Sequence, residues 1–243
     1  MKKSKLAKVL TVSLAALMVF GLASCGGGSG KVSDKDITVI SREEGSGTRD
    51  AFTELTGVLQ DDVDKTVDTA EISNSTSVVT QSVAGNDAAI GYISLGSLDD
   101  TVKAVKVDGV EATVDNIKSG DYKIQRPFNI VTKGEVKELP ADFIKFIMSK
   151  DGQKIIEDEG YISVNDNAEA YKASGIKGSI TLAGSTSVSP IMEVLADKYK
   201  ELNSGVTIEI QQTGSGAGIQ STTEGVCDIG MASRDLADSE AKK

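Results

Sequence analysis

The sequence predicts an α/β protein. Short β-type stretches alternate with helical patterns along most of the chain, and three of those stretches run into Gly/Ser/Thr-rich turns that open a helix. The composition, 39% hydrophobic and 26% charged over 243 residues, is that of an ordinary folded chain. Strand patterns fall at residues 37–41, 89–93, 103–107, 179–183 and 206–211. Helical patterns fall at 48–56, 77–84, 141–148, 152–159 and 190–202. The polar stretch 165–177 reads as a linker between two blocks, and no repeat of solenoid period is present.

The N-terminus reads as an address. Lys2, Lys3, Lys5 and Lys8 form a basic region, an apolar run follows to Leu22, and Leu22-Ala23-Ser24-Cys25 closes it. An apolar run this short falls below the ~20 residues of a spanning helix. The last four residues resemble a bacterial lipobox, in which the cysteine carries diacylglycerol and becomes the mature N-terminus. Residues 1–24 are therefore expected to be a lipoprotein signal peptide. The Gly/Ser-rich residues 25–36 are expected to tether the domain to the membrane. Loss of four lysines and no acids takes the net charge from −10 to −14.

Several chemistries are excluded. Without histidine, Ser-His-Asp and Cys-His catalysis and His-containing zinc sites are absent. With Cys25 lipidated, Cys227 is left alone, so no intrachain disulfide forms. A body this acidic lacks the basic footprint of a nucleic-acid binder. Neither a P-loop nor a G-x-S-x-G elbow occurs, no cofactor motif stands out, and the adjacent Glu43-Glu44 cannot flank a bond from opposite sides.

What remains is an anion site. The three turns are Ser41-Arg-Glu-Glu-Gly-Ser-Gly-Thr48, Ala183-Gly-Ser-Thr-Ser-Val-Ser189 before Pro190, and Thr213-Gly-Ser-Gly-Ala-Gly218. Each leaves backbone N–H groups unpaired at a helix start, where the helix dipole is positive. Glycines allow close approach and hydroxyls add donors. One such turn alone is usually just an N-cap. Three converging at strand carboxyl ends, with Arg42 and Arg49, would cage an oxyanion.

At these residues the sequence resembles the phosphate-binding proteins of bacterial phosphate ABC transporters. The resemblance rests on SREEGSGTRDAF (41–52), ITLAGSTSVSPIMEVLADKY (180–199), IEIQQTGSGAGIQSTTEGVCDIGMASRDL (208–236) and ADFIKFIMSKDGQKIIEDEGYISV (141–164). It implies a periplasmic-binding-protein-like fold of two lobes, 37–126 and 127–243, with a ligand cleft between them. It also implies capture of inorganic phosphate for ABC permease subunits, at the outer face of the cell membrane, without enzymatic activity. Carried over, Arg42 would pair with the anion, Glu44 would accept its proton, and Ser46, Gly47 and Thr48 would donate. Thr186 and Ser187 would donate from the other lobe, together with Ser215 or Gly216. Ser233 and Arg234 stand where the family commonly has an aspartate, and are either ligand contacts or a solvated surface pair. Another oxyanion, sulfate or molybdate, and a structural or adhesion lipoprotein are the alternatives.

Two departures set further expectations. The SREEGSGT segment precedes the AGSTSVSP and ASRDL segments, as a circular permutation would place it. The family's connection out of the ASRDL strand has no counterpart before Lys243, so the lobe 127–243 is expected to lack an element and expose an unpaired edge.

Overall fold

A computed structural model describes residues 36–242. The expected signal peptide, Cys25 and most of the expected tether lie outside the described residues. Ile37–Lys243 form one compact unit.

The chain begins with β1 (Thr38–Arg42), α1 (Gly47–Leu55), a hairpin of β2 (Leu59–Gln60) and β3 (Val63–Asp64), β4 (Glu71–Ser73), α2 (Thr76–Ala84) and β5 (Ala89–Ile90). There follow α3 (Val114–Lys118), β6 (Asn129–Val131), α4 (Glu138–Ile147) and α5 (Lys150–Asp158). The last stretch is β7 (Gly178–Gly184), α6 (Ser189–Leu202), β8 (Val206–Gln212), α7 (Ser215–Thr223), β9 (Ile229–Ala232) and α8 (Asp238–Ala241).

Two main sheets result. One has the order β4-β1-β5 and is parallel throughout; the other has the order β6-β9-β7-β8, parallel except for the antiparallel edge strand β6. Parallel strands bring successive carboxyl ends to one side of a sheet, where the connecting turns gather. Here the gathered turns are the Gly/Ser/Thr-rich ones: Arg42 ends β1, Ser73 ends β4, Gly184 ends β7, and Ser233 follows β9.

Most of the core lies on the four-stranded sheet. Leu182, Ile229 and Met231 from its strands pack with Phe143 and Phe146 of α4 and with Leu195 and Tyr199 of α6, all fully buried. Tyr199 is the polar member of this cluster. Its hydroxyl donates to Asp142 Oδ2 at 2.6 Å, beside donations from Tyr171 at 2.5 Å and Ser174 at 2.9 Å. Burial alone would raise the Asp142 pKa, but these hydrogen bonds outweigh it and hold the carboxyl below its usual value. A carboxyl depressed in the folded state stabilises the fold above its unfolded pKa, and that contribution is lost as pH falls through the folded value. Tyr199→Phe is therefore expected to cost about 1.5–3 kcal/mol at neutral pH and less once the pH has fallen through the depressed folded-state value, where Asp142 is protonated. Urea unfolding at the two pH values measures both. An equal cost at both would mean that the Asp142 charge is not what the hydroxyl serves.

The end of β7 depends on one glycine. Gly184 has φ +144°, and a Cβ there would stand 2.1 Å from the Met231 carbonyl oxygen. Only glycine lets β7 lie against β9 while the chain turns toward α6.

One expectation changes. Residues 103–107 do not form a strand; Val105 is exposed, and Val107 makes only an isolated bridge to Val110 across a turn at Asp108-Gly109. The turn folds Val107 back onto Val110, so the stretch bridges within itself and not to a sheet. Large apolar side chains are exposed in both halves: Leu59, Val63, Ile72 and Ile90 within strands of 37–126, and Val164 and Val226 outside the strands of 127–243. The four-stranded sheet has helices to cover it, whereas β2 to β5 are too short to build a second core of that size.

Candidate functional site

Arg42 is the centre of the site. The carboxyl end of β1 carries it into the interior, where it is 2% exposed. Nε and Nη2 donate to Glu43 Oε2 and Oε1, both at 2.8 Å, and Nε also donates to the Ser73 carbonyl at 3.2 Å. Nη1 donates to the Thr76 hydroxyl at 3.3 Å and Nη2 to the Thr186 hydroxyl at 3.0 Å. One guanidinium thus joins the ends of β1 and β4, the start of α2, and the turn before α6. Its planar fork suits such multiple pairing better than an ammonium would.

Around it lies a buried set of hydroxyls. Thr76 shares hydrogen bonds with Thr186 at 3.2 Å and Ser187 at 3.0 Å. Thr48, in the first turn of α1, shares them with Ser187 at 2.7 Å and Ser233 at 3.1 Å. Ser215, first residue of α7, lies 3.3 Å from the Ser233 hydroxyl and accepts the Ser233 N–H at 3.1 Å. All six side chains are at most 6% exposed. Hydroxyls are concentrated here because all but Ser233, which follows β9, stand at a helix start after a strand, where Ser and Thr are favoured as partners of unpaired N–H groups. Their rotors let them donate or accept as a ligand requires.

The glycines set the spacing of the turns. A Cβ on Gly47 would stand 2.4 Å from Ser215 Oγ, so the start of α1 approaches the start of α7 only because Gly47 has none. Gly216 N–H donates to the Gly45 carbonyl at 3.0 Å, which ties the same two turns together. Ser46 is the N-cap of α1, its hydroxyl accepting from Arg49 N–H at 3.4 Å.

The expected residues divide accordingly. Arg42, Thr48, Thr186, Ser187, Ser215 and Ser233 come together in one network. Gly47 and Gly216 shape it, Ser46 caps its helix, and Gly216's amide is taken by Gly45. Glu44 does not join it: the side chain is exposed, and the carboxylate on Arg42 is that of Glu43. The two glutamates point apart because they are consecutive in a turn that reverses at Gly45, φ +80°. Arg234 is a structural bridge. Its Nε donates to Asp50 Oδ2 at 2.9 Å, and Nη1 and Nη2 to Glu240 at 2.7 and 2.9 Å, so α1 and α8 are held on opposite sides of one guanidinium. Arg49 also serves structure, pairing with Asp64 and donating to the Arg42 carbonyl at 3.0 Å.

Thr76, Ser73 and Tyr92 were not expected. Tyr92 Oη accepts the Arg42 backbone N–H at 3.0 Å and bonds Ser41 Oγ at 2.8 Å, while its ring stacks on Phe52 at 4.1 Å. The signal for Thr76 was in the sequence: Ile72-Ser-Asn-Ser-Thr-Ser77 is a fourth strand-to-helix turn of the same kind. Among the described residues no group of three or more His, Cys, Asp and Glu gathers as a metal site.

A family model described as a PBP superfamily domain matches residues 28–151 and 169–243. A phosphate-binding protein PstS 2 from Streptococcus agalactiae is 50% identical over 100% of this chain and 84% of its own length. The protein of the same name from Streptococcus pneumoniae is 47% identical over 98% of this chain and 84% of its own. The chain belongs to the phosphate-binding-protein family of the PBP superfamily. A crystal structure of a phosphate-binding protein from Streptococcus pneumoniae TIGR4 superposes with TM-score 0.69 and 49% identity, over 86% of this chain and 82% of that one. A phosphate ABC transporter substrate-binding protein with bound phosphate, from Clostridium perfringens, matches with TM-score 0.50 and 46% identity over 53% of this chain and 52% of its own. Because the streptococcal alignments run the length of the chain, the order with SREEGSGT ahead of AGSTSVSP is shared with those relatives.

Proposed function

We propose that this protein captures inorganic phosphate outside the cell and delivers it to an ABC importer, as a lipid-anchored solute-binding protein and not as an enzyme. The observation that carries the reading is the buried network in which Arg42 and six hydroxyls from both sheets meet at four helix starts. Such a set binds a tetrahedral oxyanion without holding a nucleophile, general base or metal. The names of relatives aligned over the whole chain supply the choice of phosphate. In this reading residues 37–126 and 127–243 act as two lobes that open and close on the anion by a hinge. Arg42, Thr48, Thr186, Ser187, Ser215 and Ser233 form the binding surface, with Thr76 added, while Ser46 caps α1 and Gly47 and Gly216 set the spacing of the turns. Titration calorimetry with phosphate, sulfate and molybdate tests this directly; binding of none of the three would leave a structural lipoprotein.

Selectivity follows from where the carboxylates lie. Glu44 is exposed, so Glu44→Gln is expected to leave the phosphate-to-sulfate affinity ratio unchanged. Glu43 neutralises Arg42 through both of its oxygens. Glu43→Gln keeps an amide oxygen for the guanidinium but removes a negative charge beside the anion. Both oxyanions should then bind more tightly, sulfate by about tenfold and phosphate by less, which narrows the ratio. A ratio that moves with Glu44 and not with Glu43 would reverse this assignment.

Anchoring rests on Leu22-Ala23-Ser24-Cys25. Cys25→Ser is expected to leave the protein unprocessed or release it from the membrane fraction. Diacylglycerol plus an amide-linked chain supplies the two signals needed for stable attachment. Unlipidated wild-type protein in the soluble fraction, identified by mass spectrometry, would contradict it.

A further inference from the structure

The chain has four arginines, Arg42, Arg49, Arg126 and Arg234. Three are matched to carboxylates: Arg42 to Glu43, Arg49 to Asp64, and Arg234 to Asp50 and Glu240. Arg126 is not. Among the described residues it meets no carboxylate, and its Nη2 is buried without a hydrogen-bond partner. Its Nε donates to the Ser233 carbonyl, and the guanidinium lies 5.9 Å from the Phe128 ring centroid. Burial without compensation lowers its pKa to about 10.

This unmatched charge sits one residue's length from the hydroxyl network. The Ser233 carbonyl holds Arg126, and the Ser233 hydroxyl bonds Thr48 and Ser215. Arg126 is half-buried, and a buried donor such as its Nη2 left unpaired is costly unless something else supplies a partner. Arg42 cannot balance a bound dianion alone, because Glu43 already neutralises it.

Resting on the phosphate-binding reading, we propose that Arg126 is a positioning residue of the anion site, the uncompensated cation that orients Ser233 and supplies the counter-charge of the bound anion. The site thereby keeps one positive charge that no protein carboxylate cancels. An anion entering among the hydroxyls is attracted by it through low-dielectric protein, where such attraction is strong. Phe128 and the Ser233 carbonyl hold the guanidinium in place, so little ordering remains for the ligand to bring about.

The test compares Arg126→Gln and Arg126→Lys with wild type, reading inorganic phosphate affinity by calorimetry and ligand-free stability by urea unfolding. The glutamine variant is expected to bind phosphate at least about tenfold more weakly. Its ligand-free stability should be unchanged or higher, since a half-buried charge without a counter-ion has been removed. The lysine variant, which keeps the charge, should bind within about threefold of wild type. A merely structural arginine would lower affinity and stability together, with no rescue by lysine, and that result overturns the proposal. So does a glutamine variant that binds like wild type, or one that fails to fold while lysine folds without binding. Wild-type protein that binds no phosphate would instead bring down the functional reading beneath it.

Discussion

Arg42→Ala is expected to weaken phosphate binding at least about a hundredfold, the largest loss from any single truncation in this site. Removing one partner of a buried, hydrogen-bonded charge pair costs about 2–5 kcal/mol, each 1.4 kcal/mol being a tenfold change. Here the loss is compounded. The substitution removes the attraction and leaves Glu43 facing the ligand without its counter-ion. The Ser73 carbonyl and the Thr76 and Thr186 hydroxyls lose their shared donor as well. Sulfate should weaken along with phosphate, since the guanidinium supplies charge and not a test for the ligand's proton. Arg42→Lys should recover only part, because one ammonium cannot span four elements. Ligand-free stability must be measured beside affinity, because Arg42 also ties β1 to β4 and α6. A loss of less than fivefold would show that the anion does not sit on Arg42.

The residues show how far such a site can be read from sequence. The turns at Arg42–Thr48, Ser185–Ser189 and Gly214–Gly218 were legible because a strand, a glycine and a hydroxyl at a helix start are local features. The direction of Glu43 against Glu44 was not, since it depends on the backbone angles of a turn that reverses at Gly45. The roles of Arg126 and Arg234 were also out of reach. Their partners Ser233 and Asp50 lie 107 and 184 positions away, and no periodicity links them. Among the strands, β7 and β8 have seven residues each and were read to within one residue; β5, at two, was found within 89–93 but read too long, and β4, at three, carries too little pattern. Their existence is set by parallel pairing to β1.

Gly47→Ala should weaken binding by forcing apart two helix starts that belong to different sheets. Gly47 is helical and has no positive φ, so alanine suits α1 itself, and helix propensity favours it. The obstacle is across the site. The new Cβ would lie 2.4 Å from Ser215 Oγ, 2.8 Å from Ser215 Cβ and 3.0 Å from Arg234 Cγ. Ser215 cannot turn away freely, because it is fully buried and holds the Ser233 N–H. Nor can α7 retreat: Gly218, one turn on, already lies so close to β7 that a Cβ there would be 2.5 Å from the Ala183 carbonyl oxygen. The remaining adjustment is for α1 and its sheet to back away, which draws Thr48 off Ser187 and Ser233. Overpacking of this kind costs about 1–3 kcal/mol, so phosphate affinity should fall roughly tenfold to a hundredfold. Ligand-free stability carries the same contact and should fall by up to the same ~1–3 kcal/mol. Gly216→Ala supplies the control, since its Cβ would meet the Gly45 carbonyl oxygen at 3.5 Å, an ordinary contact, and affinity should stay within about threefold. If Gly47→Ala binds as well as Gly216→Ala, the starts of α1 and α7 need not meet around the anion, and a cage built from paired turns is the wrong account of how this protein holds its ligand.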